Sequence, residues 1–360
     1  MEAELIRNLL EQTCARIAPP NEEAHARARA RLDTLTKPLG SLGRLEDLAA
    51  QWAAIRQESF ADPIRKSVYV FAADHGVTVE GVSAYPREVT HQMVLNFLAE
   101  GAAINVLAKL HNATLQVIDV GVDADLSGIA KLVHRKVARG TRNMFQESAM
   151  TDDELHRALA VGIELADEAA ASGCNLIAIG EMGIGNTTSA AAITCALTGS
   201  RPEPATGSGT GVNAAARDHK VMVIQGALDR HFNNLPHPDP LEILRNVGGL
   251  EIAAMTGMVL GAASHRIAVL CDGFISTAAA AIAVAIAPDT LGYLIAGHES
   301  VEPGHRLLLA HLGLAPLLSL SMRLGEGTGA VLAMPIVESA VALYIGMATF
   351  ASAGVSEVSG

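Results

Sequence analysis

The most constraining feature of this chain is a strand, a glycine-rich turn and a small-residue helix in direct succession at 176–198. Glycines within the turn permit backbone angles closed to other residues and let a ligand approach the main chain. An alanine-rich run of high helix propensity follows, opened by three N-cap candidates, Asn186, Thr187 and Thr188. Because a helix N-terminus directs N–H groups and the positive dipole end at one point, the stretch predicts an anion site. One carboxylate, Glu181, lies inside the turn.

Apolar runs of strand length recur along the chain and alternate with helical patterns. We expect strands at 68–73, 115–120, 176–179, 266–271 and 290–296. Half of the 360 residues are hydrophobic but only 3% are aromatic, so Ala, Val, Leu and Ile have to build the core. This composition suits helices packed on a parallel sheet. The prediction is an α/β fold, with a parallel sheet covered by helices.

Helical patterns also occupy both ends of the chain. We expect a charged helix over 1–33, broken at Pro19-Pro20 and resumed from a possible N-cap at Asn21, and one helix over 87–109. A capping box opens another helix at Thr151, after an irregular segment at 122–150. Since the two helical ends are expected to pack together, we predict an α/β nucleotide-binding domain at 65–310 and a small helical domain made of 1–64 and 311–360.

Charge and cysteine usage narrow the class of protein. The formal net charge is −12, from 26 basic and 38 acidic residues, so no cationic excess is present to neutralise nucleic-acid phosphates. The four cysteines lack metal-ligand or redox spacing and are expected to be buried small hydrophobes. No signal-peptide pattern opens the chain, and the most apolar tract, 274–288, is too short to span a bilayer. We expect a cytoplasmic protein with neither nucleic-acid nor membrane partners.

Three glycine-rich loops, at 180–185, 207–211 and 325–329, are the candidate ligand sites. Glycine turns at strand ends suit phosphate or ribose, although any one of them is also compatible with a plain turn. Glu326 lies between two glycines of the third loop. It is either a base whose pKa is raised in an apolar pocket or a solvated loop acid. Glu181 has the same two interpretations and a third, an acceptor that orients a ligand.

Two common nucleotide motifs are not met. The turn at 183–188 lacks the third glycine of the dinucleotide fingerprint, no convincing ribose-binding acid follows, and no Gly-Lys-Ser/Thr triplet exists. The histidines at 298, 305 and 311 do not have zinc-site spacing, and the Asp74-His75 pair is better explained as structural. We therefore predict no metal and no cofactor.

Five further residues are candidates for substrate binding, and each of them could instead be an ordinary surface or core residue. Lys220 and Ser300 are either phosphate contacts or surface residues. Tyr85, Met93 and Phe97 are either core residues or the wall of a pocket for a flat aromatic ligand.

Five segments, taken in order over most of the chain, resemble one family, the nicotinate-nucleotide–dimethylbenzimidazole phosphoribosyltransferases. The segments are Lys37-Pro-Leu-Gly-Ser-Leu-Gly-Arg-Leu-Glu46, Ala73-Asp-His-Gly-Val77, Gly81-Val-Ser-Ala-Tyr-Pro86 with Val89-Thr90 and Gln92-Met93, Gly180-Glu-Met-Gly-Ile-Gly-Asn-Thr-Thr188, and Gly325-Glu-Gly-Thr-Gly-Ala330. The fourth segment is highly specific.

The resemblance implies transfer of the 5-phosphoribosyl group of nicotinate mononucleotide to 5,6-dimethylbenzimidazole. The products would be nicotinate and α-ribazole 5′-phosphate, the precursor of the lower ligand of cobalamin, formed with inversion at C1′ and a glutamate general base. It also implies a Rossmann-like domain, a small helical domain from both chain ends, a homodimer and no cofactor.

Matching the family's motifs residue by residue implies the following roles. Glu326 would be the general base, with Leu324 beside it on the substrate. The turn that holds the nucleotide would comprise Glu181, Gly183, Gly185, Asn186 and Thr187, with Lys220 and Ser300 on the phosphate side. The benzimidazole pocket would be formed by Ser83, Tyr85, Gln92 and Met93. One departure is Ser208 in the second glycine loop, where many relatives have arginine, so no phosphate contact is expected from that side chain.

Two alternatives remain at this point. One is a phosphoribosyltransferase that uses phosphoribosyl pyrophosphate, for which Asp272-Gly273 is a poor substitute for the adjacent acids required. The other is a nucleotide-binding regulatory protein without chemistry, against which the retained Glu326 argues.

Overall fold

The computed structural model describes residues 2–207, 214–233, 235 and 237–356. Its strands are β1 (Lys66–Ala73), β2 (Thr114–Gly121), β3 (Leu132–His134), β4 (Leu176–Met182), β5 (Ala268–Cys271) and β6 (Leu294–Ala296). Its helices are α1 (Glu2–Arg16), α2 (Glu22–Thr34), α3 (Arg44–Arg56), α4 (Val89–Leu98), α5 (Ala103–Leu110), α6 (Asp152–Ala171), α7 (Asn186–Thr198), α8 (Pro202–Ala205), α9 (Ala214–Phe232), α10 (Pro240–Val247), α11 (Leu250–Ser264), α12 (Phe274–Ile286), α13 (Pro303–Leu312), α14 (Thr328–Gly346) and α15 (Phe350–Ala353).

The described strands form one parallel sheet in the order β3-β2-β1-β4-β5-β6. The register pairs Val70 with Gly180 and Ile179 with Cys271, so β1, β4 and β5 end close to one another. The strand order reverses between β1 and β4, which is the point where open α/β sheets bind ligands. The predicted α/β fold with a parallel sheet covered by helices is confirmed.

Alternate residues of each strand enter two different cores. In β1, Val68 and Val70 join one hydrophobic cluster, whereas Tyr69 and Phe71 join the other. Helices α6, α11 and α12 cover the second face, and α3, α4, α5 and α14 cover the first. Both faces of the sheet are therefore buried, as the continuous apolar strand sequences require.

The helices from the two chain ends share these cores with the sheet. α1 packs on α6 and α11, while α14 packs on α3 and on β4 and β5. Two segments, Val89–Leu110 and Thr328–Gly346, are long and apolar enough to cross a membrane by length and composition alone, a test that core helices also pass. The first is divided between α4 and α5, where Glu100 has a φ of +63°. The division into two domains stays a prediction.

Three predicted elements need correction. Residues 122–150 contain a strand, β3, whose three residues are too short to give a periodic signal. The single helix expected over 87–109 is two helices, because the backbone turns at Glu100 and Gly101. The last strand is limited to Leu294–Ala296, since a 3₁₀ helix occupies Pro288–Tyr293.

The predicted helix starts at Asn21 and Thr151 are confirmed. The Asn21 side chain accepts the N–H of Ala24, and Thr151 forms a reciprocal capping box with Glu154. Local motifs of this kind depend on residues a few positions apart, which is why the sequence alone identifies them.

Helices α6 and α11 approach so closely that glycine is required between them. A Cβ at Gly162 would overlap the backbone of Ala254 and Met258. We expect Gly162→Ala to lower the free energy of unfolding by about 1–3 kcal/mol or more, because the helices would have to separate. Gly346→Ala, where no atom lies within 4 Å of the added Cβ, is the matched control and should change stability little. Urea denaturation of both variants tests this, and equal stability would contradict it.

Candidate active site

A cleft of about 110 Å³ opens at the carboxyl ends of β4, β5 and β6. This edge of an open α/β sheet is where ligands bind. The residues that line it come from the first and third glycine loops and from the segments after β5 and β6. They are Glu181, Met182, Gly183, Ile184, Asn186, Thr187, Asp272, Gly273, Phe274, Ile275, Ser276, His298, Ser300, Glu302, Arg323, Leu324 and Gly325.

The first glycine loop joins β4 to α7 by a tight turn. Gly185 has a φ of +97° and is the N-cap of α7, so the predicted N-cap role of Asn186, Thr187 and Thr188 is wrong. The turn packs against the end of β1, because a Cβ at Gly183 would lie 2.5 Å from the carbonyl oxygen of Ala73. Glycine is therefore needed at both positions.

Side chains rather than backbone supply the donors at the start of α7. The N–H groups of Asn186 and Thr188 already donate to the carbonyl oxygens of Gly183 and Gly185 within the turn. Thr187 lines the cleft and its hydroxyl accepts a hydrogen bond from Nζ of Lys220 at 2.7 Å, although Lys220 itself does not line the cleft. The predicted anion site therefore rests on the Thr187–Lys220 pair and the dipole of α7.

Lys220 and Ser300 are both buried, so the surface alternative is wrong for each. Burial lowers the pKa of Lys220 to about 8, an effect that the charge of Glu302 partly opposes. Ser300 lines the cleft, and its backbone N–H donates to Nδ1 of His305. His305 is thereby fixed as the tautomer that carries its proton on Nε2.

Glu181 is a buried acid at the mouth of the turn. Burial raises its pKa to about 8, and the charges of Asp272, Glu251 and Glu326 add to the rise. Asn186 donates a hydrogen bond to the carboxyl and partly opposes this rise. The group is therefore mainly protonated at pH 7, and the interpretation as a solvated loop acid is wrong.

Glu326 is buried in the third loop. It has a φ of +63° between Gly325 and Gly327, whose φ angles are +83° and +87°. Within the described residues, no hydrogen-bond partner reaches its Oε2. Burial raises the pKa of Glu326, while the N–H of Ile104 in the first turn of α5 lowers it. The solvated alternative is again wrong. Leu324 and Gly325 line the cleft, but Glu326 does not, and its carboxyl lies towards α5.

The four residues predicted for the benzimidazole pocket do not line this cleft. Ser83 accepts the backbone N–H of Tyr85, whose side chain is 53% exposed and therefore not core. On α4, Gln92 is exposed and Met93 packs on the hydrophobic core. α4 reaches the first glycine loop through Thr90, whose hydroxyl accepts the N–H of Ile184. Phe97 is a core residue.

Three buried residues of the cleft were not predicted as site residues. Asp272 and His298 follow β5 and β6, and Glu302 follows Ser300 by two positions. Both ring nitrogens of His298 and Oε2 of Glu302 lack a hydrogen-bond partner among the described residues. Their position after strands of a parallel sheet is the signal that would have identified them.

The Asp74-His75 pair supports the structure beneath the turn. The His75 ring contacts Glu251 through Nε2 at 2.6 Å and Ser189 through Nδ1 at 3.1 Å. Asp74 accepts the N–H of Asp123 at 2.7 Å. These contacts agree with the structural interpretation of the pair.

Gly207 is the one residue of the second glycine loop that the structure describes, and it lies against the carboxylate of Glu302. Ser208 lies outside the described residues. Within the described part of the chain, no three His, Cys, Asp or Glu side chains are grouped so as to hold a metal ion.

Comparisons with known proteins agree with this arrangement. A family model described as phosphoribosyltransferase matches residues 17–355. A nicotinate-nucleotide–dimethylbenzimidazole phosphoribosyltransferase of Geobacter sp. strain M21 is 51% identical over 349 residues, which cover 97% of this chain and 99% of the relative. The enzyme of that name from Chloroflexus aggregans is 52% identical over 351 residues, with the same coverage.

Solved structures show the same similarity. The crystal structure of CobT from Thermus thermophilus superimposes with a TM-score of 0.89 at 49% identity, and covers 93% of this chain and 99% of that one. A structure titled as the phosphoribosyltransferase of the same organism gives a TM-score of 0.88 at 48% identity, with 94% and 99% covered.

The raised pKa of Glu181 predicts a pH-dependent stability. Its folded value of about 8 exceeds the ordinary value of 4.5, so this group's stabilising contribution is complete below pH 4.5 and is lost as pH rises to 8. Glu181→Gln carries no such loss. We therefore expect the free energy of unfolding of the variant, relative to that of the wild type, to be higher at pH 8 than at pH 5 by roughly 2–4 kcal/mol. Urea denaturation at both pH values measures this, with exposed Glu168→Gln as control. A constant difference would contradict the assignment.

Proposed function

The chain belongs to the nicotinate-nucleotide–dimethylbenzimidazole phosphoribosyltransferase family, and we propose which of its residues bind the two substrates and which one accepts the proton. The substrates are nicotinate mononucleotide and 5,6-dimethylbenzimidazole, and the products are nicotinate and α-ribazole 5′-phosphate. The observation that carries the proposal is the buried carboxyl of Glu326, whose Oε2 has no partner among the described residues. A buried acceptor left unpaired is costly unless a ligand meets it.

The mononucleotide occupies the cleft with its phosphate at the start of α7. Thr187 and the buried ammonium of Lys220 supply donors there, and Ser300 lines the same cleft. A helix N-terminus with a nearby cation is a suitable site for a phosphate dianion. Gly183 and Gly185 let the turn pack on β1 and the segment after it, and this packing places the start of α7 at the proposed phosphate position.

The leaving group is already activated. Nicotinate bound through its ring nitrogen is a cationic pyridinium, so the glycosidic bond breaks without protonation of the leaving atom. The protein has to hold the ribose and to align the incoming nitrogen for attack on C1′. Attack from the face opposite to nicotinate inverts C1′ and gives the α anomer.

Glu326 accepts the proton of the incoming base. Attack by one ring nitrogen of dimethylbenzimidazole leaves positive charge on the ring, which loss of the proton on the other nitrogen removes. A carboxylate with a raised pKa suits this transfer near neutral pH. Because the Glu326 carboxyl lies towards Ile104 of α5, we place dimethylbenzimidazole on the α4–α5 side of Leu324 and Gly325. The proposed walls of its pocket are Gln92 and Met93 of α4, together with Ser83 and Tyr85, which precede α4.

Glu181 faces the sugar from the cleft. In the free protein its raised pKa keeps it mainly protonated, so that it can donate a hydrogen bond. A cationic pyridinium nearby favours the ionised form, and the carboxylate then offsets positive charge that develops on the ribose. Glu181 is therefore proposed to orient the nucleotide and not to transfer the proton.

From the family membership we also propose that the protein is a cytoplasmic homodimer and that it needs no cofactor.

The activity is tested by incubating the protein with nicotinate mononucleotide and dimethylbenzimidazole. We expect α-ribazole 5′-phosphate and nicotinate to form in equal amounts, which chromatography and mass spectrometry would detect. Phosphoribosyl pyrophosphate in place of the mononucleotide should give no product. Product formed with phosphoribosyl pyrophosphate but not with nicotinate mononucleotide would establish a transferase that uses phosphoribosyl pyrophosphate. Binding of nicotinate mononucleotide without any product would establish a regulatory protein.

The base role predicts the effect of Glu326→Gln. The amide keeps the volume but cannot take the proton, so we expect turnover to fall about 100-fold or more, with the dissociation constant of nicotinate mononucleotide little changed. Steady-state kinetics and calorimetric titration measure the two quantities. Glu168→Gln, an exposed glutamate on α6, is the control and should behave as wild type. Near wild-type turnover in Glu326→Gln would remove that residue from the base role.

A further inference from the structure

We propose that Asp272 is a positioning residue for Glu326, holding the loop 325–327 in the one backbone conformation that presents the catalytic carboxyl. This inference rests on the proposed role of Glu326 as the base. It assigns a task to an acid that the transfer reaction itself leaves unused.

The contacts of Asp272 are with backbone at the start of α14. Its Oδ1 accepts the N–H groups of Gly329 at 2.6 Å and Ala330 at 3.0 Å, and its Oδ2 accepts that of Gly327 at 3.2 Å. The N-cap of α14 is Gly327, which has no side chain to satisfy these donors. An aspartate 55 residues away in the chain therefore replaces the missing cap.

The loop requires such a clamp because its backbone is strained. Gly325, Glu326 and Gly327 are left-handed in succession, and for Glu326, which has a Cβ, this conformation is unfavourable. Strain of this kind persists only where the surroundings fix it, and it is concentrated at functional sites. Asp272 binds the residue directly after Glu326.

Strand β4 holds the loop from another side. A Cβ at Gly180 would overlap the backbone of Glu326 and Gly327, and one at Gly325 would overlap the Glu181 carboxyl. The loop is thus confined between β4 and Asp272 at the end of β5. A small shift of either support would displace Glu326 from the substrate nitrogen.

The charges around Asp272 come from three elements. His298, after β6, has Nδ1 3.7 Å from Oδ1, and the carboxyls of Glu181 and Glu326 face it from β4 and from the loop. Burial raises the pKa of Asp272, while His298 and the three N–H groups lower it. The negative charge of Asp272 in turn raises the pKa of Glu326 and of Glu181.

Asp272→Asn is the first test, in the full-length protein. The amide keeps the size of the side chain but cannot accept all three N–H groups. We expect kcat to fall about 10- to 100-fold with KM for nicotinate mononucleotide within about 3-fold of wild type, because a base displaced by less than an ångström loses alignment. Amide exchange at Gly327, Gly329 and Ala330 should accelerate. Asp239→Asn, which makes the same change at the N-cap of α10, is the matched control with unchanged kcat.

The pH profile separates positioning from simple loss of structure. The acid limb of kcat is assigned to Glu326 by its absence in Glu326→Gln. Without the charge of Asp272 the pKa of Glu326 falls, so we expect the limb of Asp272→Asn to move to lower pH. Glu251→Gln should leave this limb in place, because Glu251 acts on Glu181 and not on Glu326.

A second variant acts on the loop without touching the charge. Gly180→Ala pushes on the backbone of Glu326 from β4, and we expect a similar fall in kcat with the acid limb in its wild-type position. Wild-type kcat and wild-type amide exchange in Asp272→Asn would overturn the inference, as would a loss confined to KM. If Glu326→Gln is fully active, the proposed base fails instead, whatever Asp272→Asn shows.

Discussion

The crowding of buried carboxyl groups at one edge of the parallel sheet is the constraint on which the rest of the site depends. Strands that run in the same direction end together, so Glu181 of β4 and Asp272 after β5 are brought close to each other. Burial raises the pKa of each acid, and the negative charge of Asp272 raises that of Glu181 further. Such an edge favours a cationic ring and disfavours anions, except where Lys220 and α7 supply positive potential.

Glycine makes this edge compact. Gly180 and Gly325 allow β4, the Glu181 carboxyl and the third loop to meet at distances that no side chain would permit. The same property keeps the loop 325–327 dependent on contacts from elsewhere, since glycine itself imposes little conformation. In the proposed mechanism, recognition of the substrate and placement of Glu326 are therefore parts of one packing arrangement.

The sequence predicted what local pattern controls. The strand–turn–helix at 176–198 and the α/β class follow from short segments, and the structure agrees with them. The same segments singled out Glu181 and Glu326 but left their burial open, and the structure shows both to be buried. Asp272 and His298 were missed because their partners lie on distant segments of the chain. The short strand β3 gave no periodic signal. The walls of the benzimidazole pocket stay a prediction, since the cleft does not include them.

The hydrogen bonds between Asp272 and the start of α14 join segments that are far apart in the chain, which affects how the fold is completed. All six described strands are complete by Ala296, yet the donors that satisfy Asp272 arrive only with residues 327–330. Until α14 docks, Asp272 lacks these hydrogen bonds and the part of the apolar face that α14 covers stays exposed, and each is unfavourable. The docking of α14 thus completes its part of the core and fixes the loop that carries Glu326, the proposed base, so molecules with α14 undocked are expected to be inactive.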